Sequence, residues 1–133
     1  MDLILIERIN SIIAWLSVVL MLLLSLPAFT RYIVRKLKLS KTHRLSRINK
    51  KLHKFHVQLS VLCSVCIVIH IILSYILLKH FPLLGYIIFL LFVLLVLSGY
   101  LKKRMSAKWF TIHKKATLLI LIIVLLHIVY ELP

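Results

Sequence analysis

The sequence predicts an all-α integral membrane protein, a bundle of four transmembrane helices, and three observations carry that prediction. Hydrophobic residues make up 62% of the 133-residue chain against 16% charged, with a mean hydropathy of +1.07, far above what a soluble domain of this size carries. Four apolar stretches follow one another, at about residues 9–29, 57–78, 83–101 and 116–132, each near the length a helix needs to cross about 30 Å of hydrocarbon. The basic residues, which give a net charge of +15, are gathered into the connections. At this size and apolarity a large soluble catalytic domain is excluded.

The first stretch, about Ile9 to Phe29, is read as a span and not as a secretory signal, because Met1 to Asn10 lacks a basic leader region and Ser25 to Arg31 lacks a small-residue cleavage site. The connection at 31–56 carries ten Lys/Arg between Arg31 and Lys54, with apolar residues such as Leu45, Ile48 and Leu52 spaced so that part of it would lie helical on the inner leaflet and attract anionic lipid. The second stretch ends at Lys79-His80-Phe81-Pro82, a short connection whose proline cannot continue a helix, so the second and third spans are expected to form an antiparallel hairpin. The connection at 102–115 adds six more basic residues.

Those two connections thus hold 16 of the 18 Lys/Arg, while the three acids, Asp2, Glu7 and Glu131, fall with Arg8 and Lys79 at the opposite ends of the spans. Positive residues stay on the cytoplasmic side, so both long connections are expected inside and both termini outside. Spans two and four then run parallel. The same charge excess is not read as a nucleic-acid surface, because no aromatic interleaving or recognition module accompanies it.

Histidine spacing is the most informative pattern. His56 and His70 bracket the second span with thirteen residues between them, and His113 and His127 bracket the fourth with the same thirteen. Fourteen steps at about 100° fall some 40° short of four turns and rise about 21 Å, so each pair shares one helix face at two depths. With the helices parallel, His56 and His113 share the cytoplasmic depth and His70 and His127 the outer one. Two imidazoles facing each other at one depth of a bundle are the axial ligand set of a non-covalent b-type haem, and there are two such levels. Covalent attachment is excluded, since no C-x-x-C-H occurs. His53 would compete with His56 for the inner position but lies about 100° off the shared face. His43 is expected to be solvated and His80 to mark the outer hairpin.

Other residues support this pattern less directly. Gly85 and Gly99, the two glycines of the chain, are also fourteen apart, on the third span. They would let one flat cofactor surface approach the backbone at each level, or would serve helix packing alone. Cys63 and Cys66 form a C-x-x-C in mid-span, where small apolar packing is expected and not a redox disulfide or a zinc site. Haem propionates would find Arg31, Arg35, Arg47, Lys54 and Lys102 at the inner interface and Lys79, Tyr75 and Tyr130 at the outer. Trp15, Trp109, Tyr32, Tyr86 and Tyr100 are assigned to the interfacial aromatic belt.

Taken together, His56-x13-His70 and His113-x13-His127 on two parallel spans separated by one helix, with a basic segment running into the first ligand, resemble the ferric reductase-like transmembrane domain superfamily. That superfamily includes eukaryotic ferric reductases, NADPH oxidases and the haem subunit of bacterial methionine sulfoxide reductase systems. The resemblance implies six spans in typical members, ligands on the third and fifth, and electrons moving outward; the four spans here match the second through fifth. It also implies an oxidoreductase component of a multi-pass cell membrane protein, in the inner membrane if prokaryotic. The sixth span and any flavin- or nicotinamide-binding domain are missing, with no G-x-G-x-x-G in the sequence, so a cytoplasmic flavoprotein reductase or a membrane quinol is expected to supply electrons to an extracytoplasmic acceptor. Three readings stay open: a dihaem electron-transfer protein, alone or in a larger complex or homo-oligomer; a quinol-oxidising anchor subunit of a respiratory complex; and a haem-free protein whose histidines handle metal ions or protons.

Overall fold

The computed structural model describes residues 3–38, 40, 44–77, 79, 82–100 and 107–131. The fold is all-α. Four helices follow in order, α1 (Leu3–Lys36), α2 (Arg44–Ile72), α3 (Leu83–Tyr100) and α4 (Ala107–Glu131), with a π-helical segment, Leu73–Leu77, continuing α2. No strand occurs among the described residues. His43, His80, Lys102 and the remainder of the 101–106 connection lie outside them, as do the terminal residues of the second, third and fourth expected spans.

Three helical stretches, Leu3–Lys36, Arg44–Ile76 and Thr111–Glu131, are long and apolar enough to cross a membrane. Their side chains are disposed for that solvent: Val57 is 68% exposed, Leu118 62% and Val129 70%, and among the described residues Cys63 alone is fully buried. Apolar surface on this scale suits hydrocarbon and not water. A shorter apolar helix, Leu83–Gly99, rises about 26 Å.

Three of the helices begin earlier than their apolar stretches, and α1 also ends later. α1 starts at Leu3 and reaches Lys36, α2 starts at Arg44 instead of near Val57, and α4 at Ala107 instead of near Ala116. Hydropathy marks where side chains prefer hydrocarbon, whereas the backbone stays helical through Lys- and Arg-rich turns, because these residues are good helix formers whose long stems reach to the headgroups. α1 stops after Arg35 and Lys36, whose charges complement the negative end of its dipole. Its terminal amides turn back, Leu37 N donating to Ile33 O at 2.9 Å and Lys38 N to Arg35 O at 3.2 Å, and Lys38 takes the left-handed conformation (φ 49°) that closes such an end.

Contacts divide the chain into two compact units, Arg8–His70 and Met1–Glu7 with Ile71–Pro133. In the first, α1 and α2 run antiparallel and are joined at three levels. Thr30 Oγ1 lies 3.2 Å from Asn49 Oδ1, the Cys63 thiol reaches the Ser17 carbonyl at 3.8 Å, and His70 meets Asn10. Residues 10 to 30 of α1 therefore cover about 30 Å, the thickness of the hydrocarbon layer. In the second unit α3 and α4 are antiparallel, with Gly85 opposite His127 and Gly99 opposite His113.

Candidate functional site

Each histidine pair rides on one uninterrupted α-helix. His56 and His70 lie within α2, and the π-helical segment begins only at Leu73; His113 and His127 lie within α4. The fourteen-residue spacing is thus carried through regular helix in both cases, which keeps each pair on one face. All four imidazoles are half-buried.

In the first unit, His70 Nδ1 and Asn10 Oδ1 are 2.8 Å apart. An amide oxygen only accepts, so the contact suits a His70 ring protonated on Nδ1, whose lone pair would then lie on Nε2. Asn10 is 8% exposed, a buried amide on the face of α1 that also buries Ile6 and Ser17. At the other end of the same face of α2, His56 is half-buried while His53, one turn earlier, is exposed, their ring centroids 6.3 Å apart and tilted by 42°. That difference in burial accords with the helical phase that separates the two.

The second unit repeats the arrangement with different atoms. Ser98 donates its hydroxyl proton to the Leu95 carbonyl at 2.6 Å, which leaves its oxygen to accept from His113 Nδ1 at 2.8 Å. The contact thus also suits a His113 ring protonated on Nδ1, with its lone pair on Nε2. Asn10 and Ser98 are absent from the sequence reading. Asn10 resembles a span boundary and Ser98 a tolerated hydroxyl in an apolar run, and only the antiparallel registers bring them to the histidines.

Gly85 and Gly99 face the histidines of α4. A Cβ at Gly85 would lie 3.5 Å from His127 Cε1 and 3.3 Å from Pro82 Cγ, and one at Gly99 3.8 Å from His113 Cε1. The backbone that the glycines leave uncovered is met here by imidazole edges. Gly99→Ala is accordingly expected to change thermal stability in detergent by no more than about 0.5 kcal/mol, and Gly99→Leu, which overfills the space beside His113, to lower it by about 1–3 kcal/mol. Melting followed by helical circular dichroism checks both.

Trp109 departs from the aromatic-belt expectation. It sits one turn before His113 on the same face of α4, half-buried, and its Nε1–H is buried and meets no acceptor among the described residues. Trp15, Tyr32 and Tyr86 are exposed as a belt requires, at 54%, 60% and 44%. Of the expected propionate partners, Arg31 is half-buried, whereas Arg35, Arg47, Lys54, Lys79, Tyr75 and Tyr130 are exposed. Cys63 and Cys66 are free thiols packed inside the first unit. No group of three or more His, Cys, Asp or Glu side chains that could hold a metal ion occurs among the described residues.

Comparison with protein-family models, with curated proteins and with solved structures returns no match to this chain.

Proposed function

We propose that the chain is a single transmembrane domain that binds two b-type haems and passes electrons across the cell membrane. In this reading α3 also crosses the membrane, as the third of four spans, both termini lie outside, and α2 and α4 run parallel as a consequence of the charge distribution. His56 and His113 hold the inner haem and His70 and His127 the outer one. The observation that carries the reading is that Nδ1 of His70 and Nδ1 of His113, one from each proposed level, each lie 2.8 Å from a side-chain oxygen of the neighbouring helix. An imidazole held in this way through Nδ1 is set to ligate iron through Nε2.

The donor set fits such a cofactor. Imidazoles at two depths match bis-histidine ligation, the glycines let the His113 and His127 rings pack close to the α3 backbone, and the buried Trp109 N–H is a donor suited to a propionate carboxylate near the inner level. When bound, each haem supplies a one-electron ferric/ferrous couple. The chain orients the ligands, excludes water from the layer between the two levels, and takes no part in proton or group transfer. One electron leaves a cytoplasmic donor, a separate flavoprotein or a quinol, and one electron arrives at an extracytoplasmic acceptor. The basic stretch Arg44–Lys54, with Arg47, Lys50, Lys51 and Lys54 exposed, is the docking face for that donor or for anionic lipid.

A reduced-minus-oxidised spectrum of the purified protein tests the proposal. Paired α and Soret bands of b-type haem at two haems per chain are expected, and their absence from protein expressed with ample haem overturns it.

A further inference from the structure

We infer that Asn10 and Ser98 are positioning residues that set the affinity and the potential of the two metal sites, one residue per site. The inference rests on the haem-binding reading above. His70, assigned to the outer level, is held by Asn10 from α1, and His113, assigned to the inner level, by Ser98 from α3. The two helices that carry no ligand histidine thus each contribute one oxygen to a ligand of the neighbouring helix. Both contacts are 2.8 Å, and both acceptors are buried, Asn10 at 8% and Ser98 at 8% exposed. In hydrocarbon a buried amide or hydroxyl is costly unless it is hydrogen-bonded, so these polar groups need the imidazoles as much as they orient them.

The chemistry of the acceptors is the second part of the inference. The chain has only three carboxylates, Asp2, Glu7 and Glu131, and the acceptors at His70 and His113 are an amide and a hydroxyl. A carboxylate on Nδ1–H would push the imidazole toward imidazolate and favour ferric iron; neutral oxygens fix the ring and leave its donor strength near that of neutral imidazole. Ser98 also donates its hydroxyl hydrogen bond to Leu95 O, which turns its oxygen lone pairs to His113 Nδ1. Asn10 does the same for His70 by having no proton on Oδ1. The two sites reach the same tautomer by different means, so substitutions should separate them.

The experiment combines haem titration, redox potentiometry and nitrogen NMR of histidine-labelled protein. Asn10→Leu is expected to lower outer-haem affinity about 10–100-fold with the inner haem unchanged, and Ser98→Ala to do the reverse. Asn10→Asp should restore outer-haem binding and shift that haem's midpoint potential downward, and Ser98→Thr should restore the inner site. In haem-free wild-type protein the NMR spectrum should contain two Nδ1-protonated neutral histidines, one lost in each of Asn10→Leu and Ser98→Ala. Wild-type affinities and potentials in both variants, in protein that binds two haems, overturn the inference and leave the haem reading standing. A wild-type protein that binds no haem overturns the haem reading. Far-ultraviolet circular dichroism separates loss of a ligand's orientation from loss of fold, and should a variant fail to fold, Asn10→Asp and Ser98→Thr still carry the potentiometric and NMR tests.

Discussion

Purified protein carrying His70→Ala or His127→Ala is expected to hold one haem per chain instead of two, with the remaining spectrum that of the inner site. His56→Ala and His113→Ala should instead remove the inner haem. Each of these histidines is proposed as one of only two axial ligands, so its loss takes away half of the iron's protein ligation, and a bis-histidine site with one ligand gone no longer competes for haem in detergent. Difference spectra with a pyridine haemochrome count, taken beside each single variant and the double His70→Ala/His127→Ala, check the pairing. The double variant should lose no more haem than either single one, because residues acting on one cofactor are not additive. Two haems retained in any single variant would show that the helices pair their histidines differently or not at all.

The second large effect concerns sidedness. A cysteine placed at Lys79 is expected to react with a membrane-impermeant maleimide on intact cells, and one placed at Lys50 to react only after the cells are opened. The basis is the distribution of 16 of 18 basic residues between the two long connections, which the positive-inside rule assigns to the cytoplasm. Both positions are exposed, so reagent access is decided by the bilayer and not by packing. The native thiols leave a low background, since Cys63 is 0% exposed and Cys66 7%. The outcome is close to all or none. The reverse pattern would invert the proposed direction of electron flow, and labelling of both positions from one side would remove the proposed parallel arrangement of α2 and α4 on which the two haem levels depend.

Different parts of this protein were legible at different levels. Helical class and the presence of membrane-length helices follow from apolar stretches such as 9–29 and 57–78, because the preference of side chains for hydrocarbon adds up along the chain and needs no tertiary information. Helix ends were less legible. Arg44 to Phe55 is helical although its composition reads as a connection, since hydropathy reports solvent preference while the backbone follows helix propensity and charge at the interface. The common face of His56 and His70, and of His113 and His127, was legible because the rotation per residue of an α-helix is constant, and both intervals fall in regular helix, the first ahead of the π-helical segment and the second within α4.

By itself, then, the sequence determined the helical class, the distribution of charge from which sidedness is argued, and the phase of the histidines on their helices. The tertiary structure alone decided that Asn10 meets His70, that Ser98 meets His113 with its proton turned to Leu95, that Gly85 and Gly99 face the imidazoles of α4, and that the Trp109 indole N–H is buried. These depend on the axial register and rotation of one helix against another. A shift of a single residue moves a side chain by about 100° and about 1.5 Å, enough to break a 2.8 Å hydrogen bond, and that register is set by the packing of the whole helix pair.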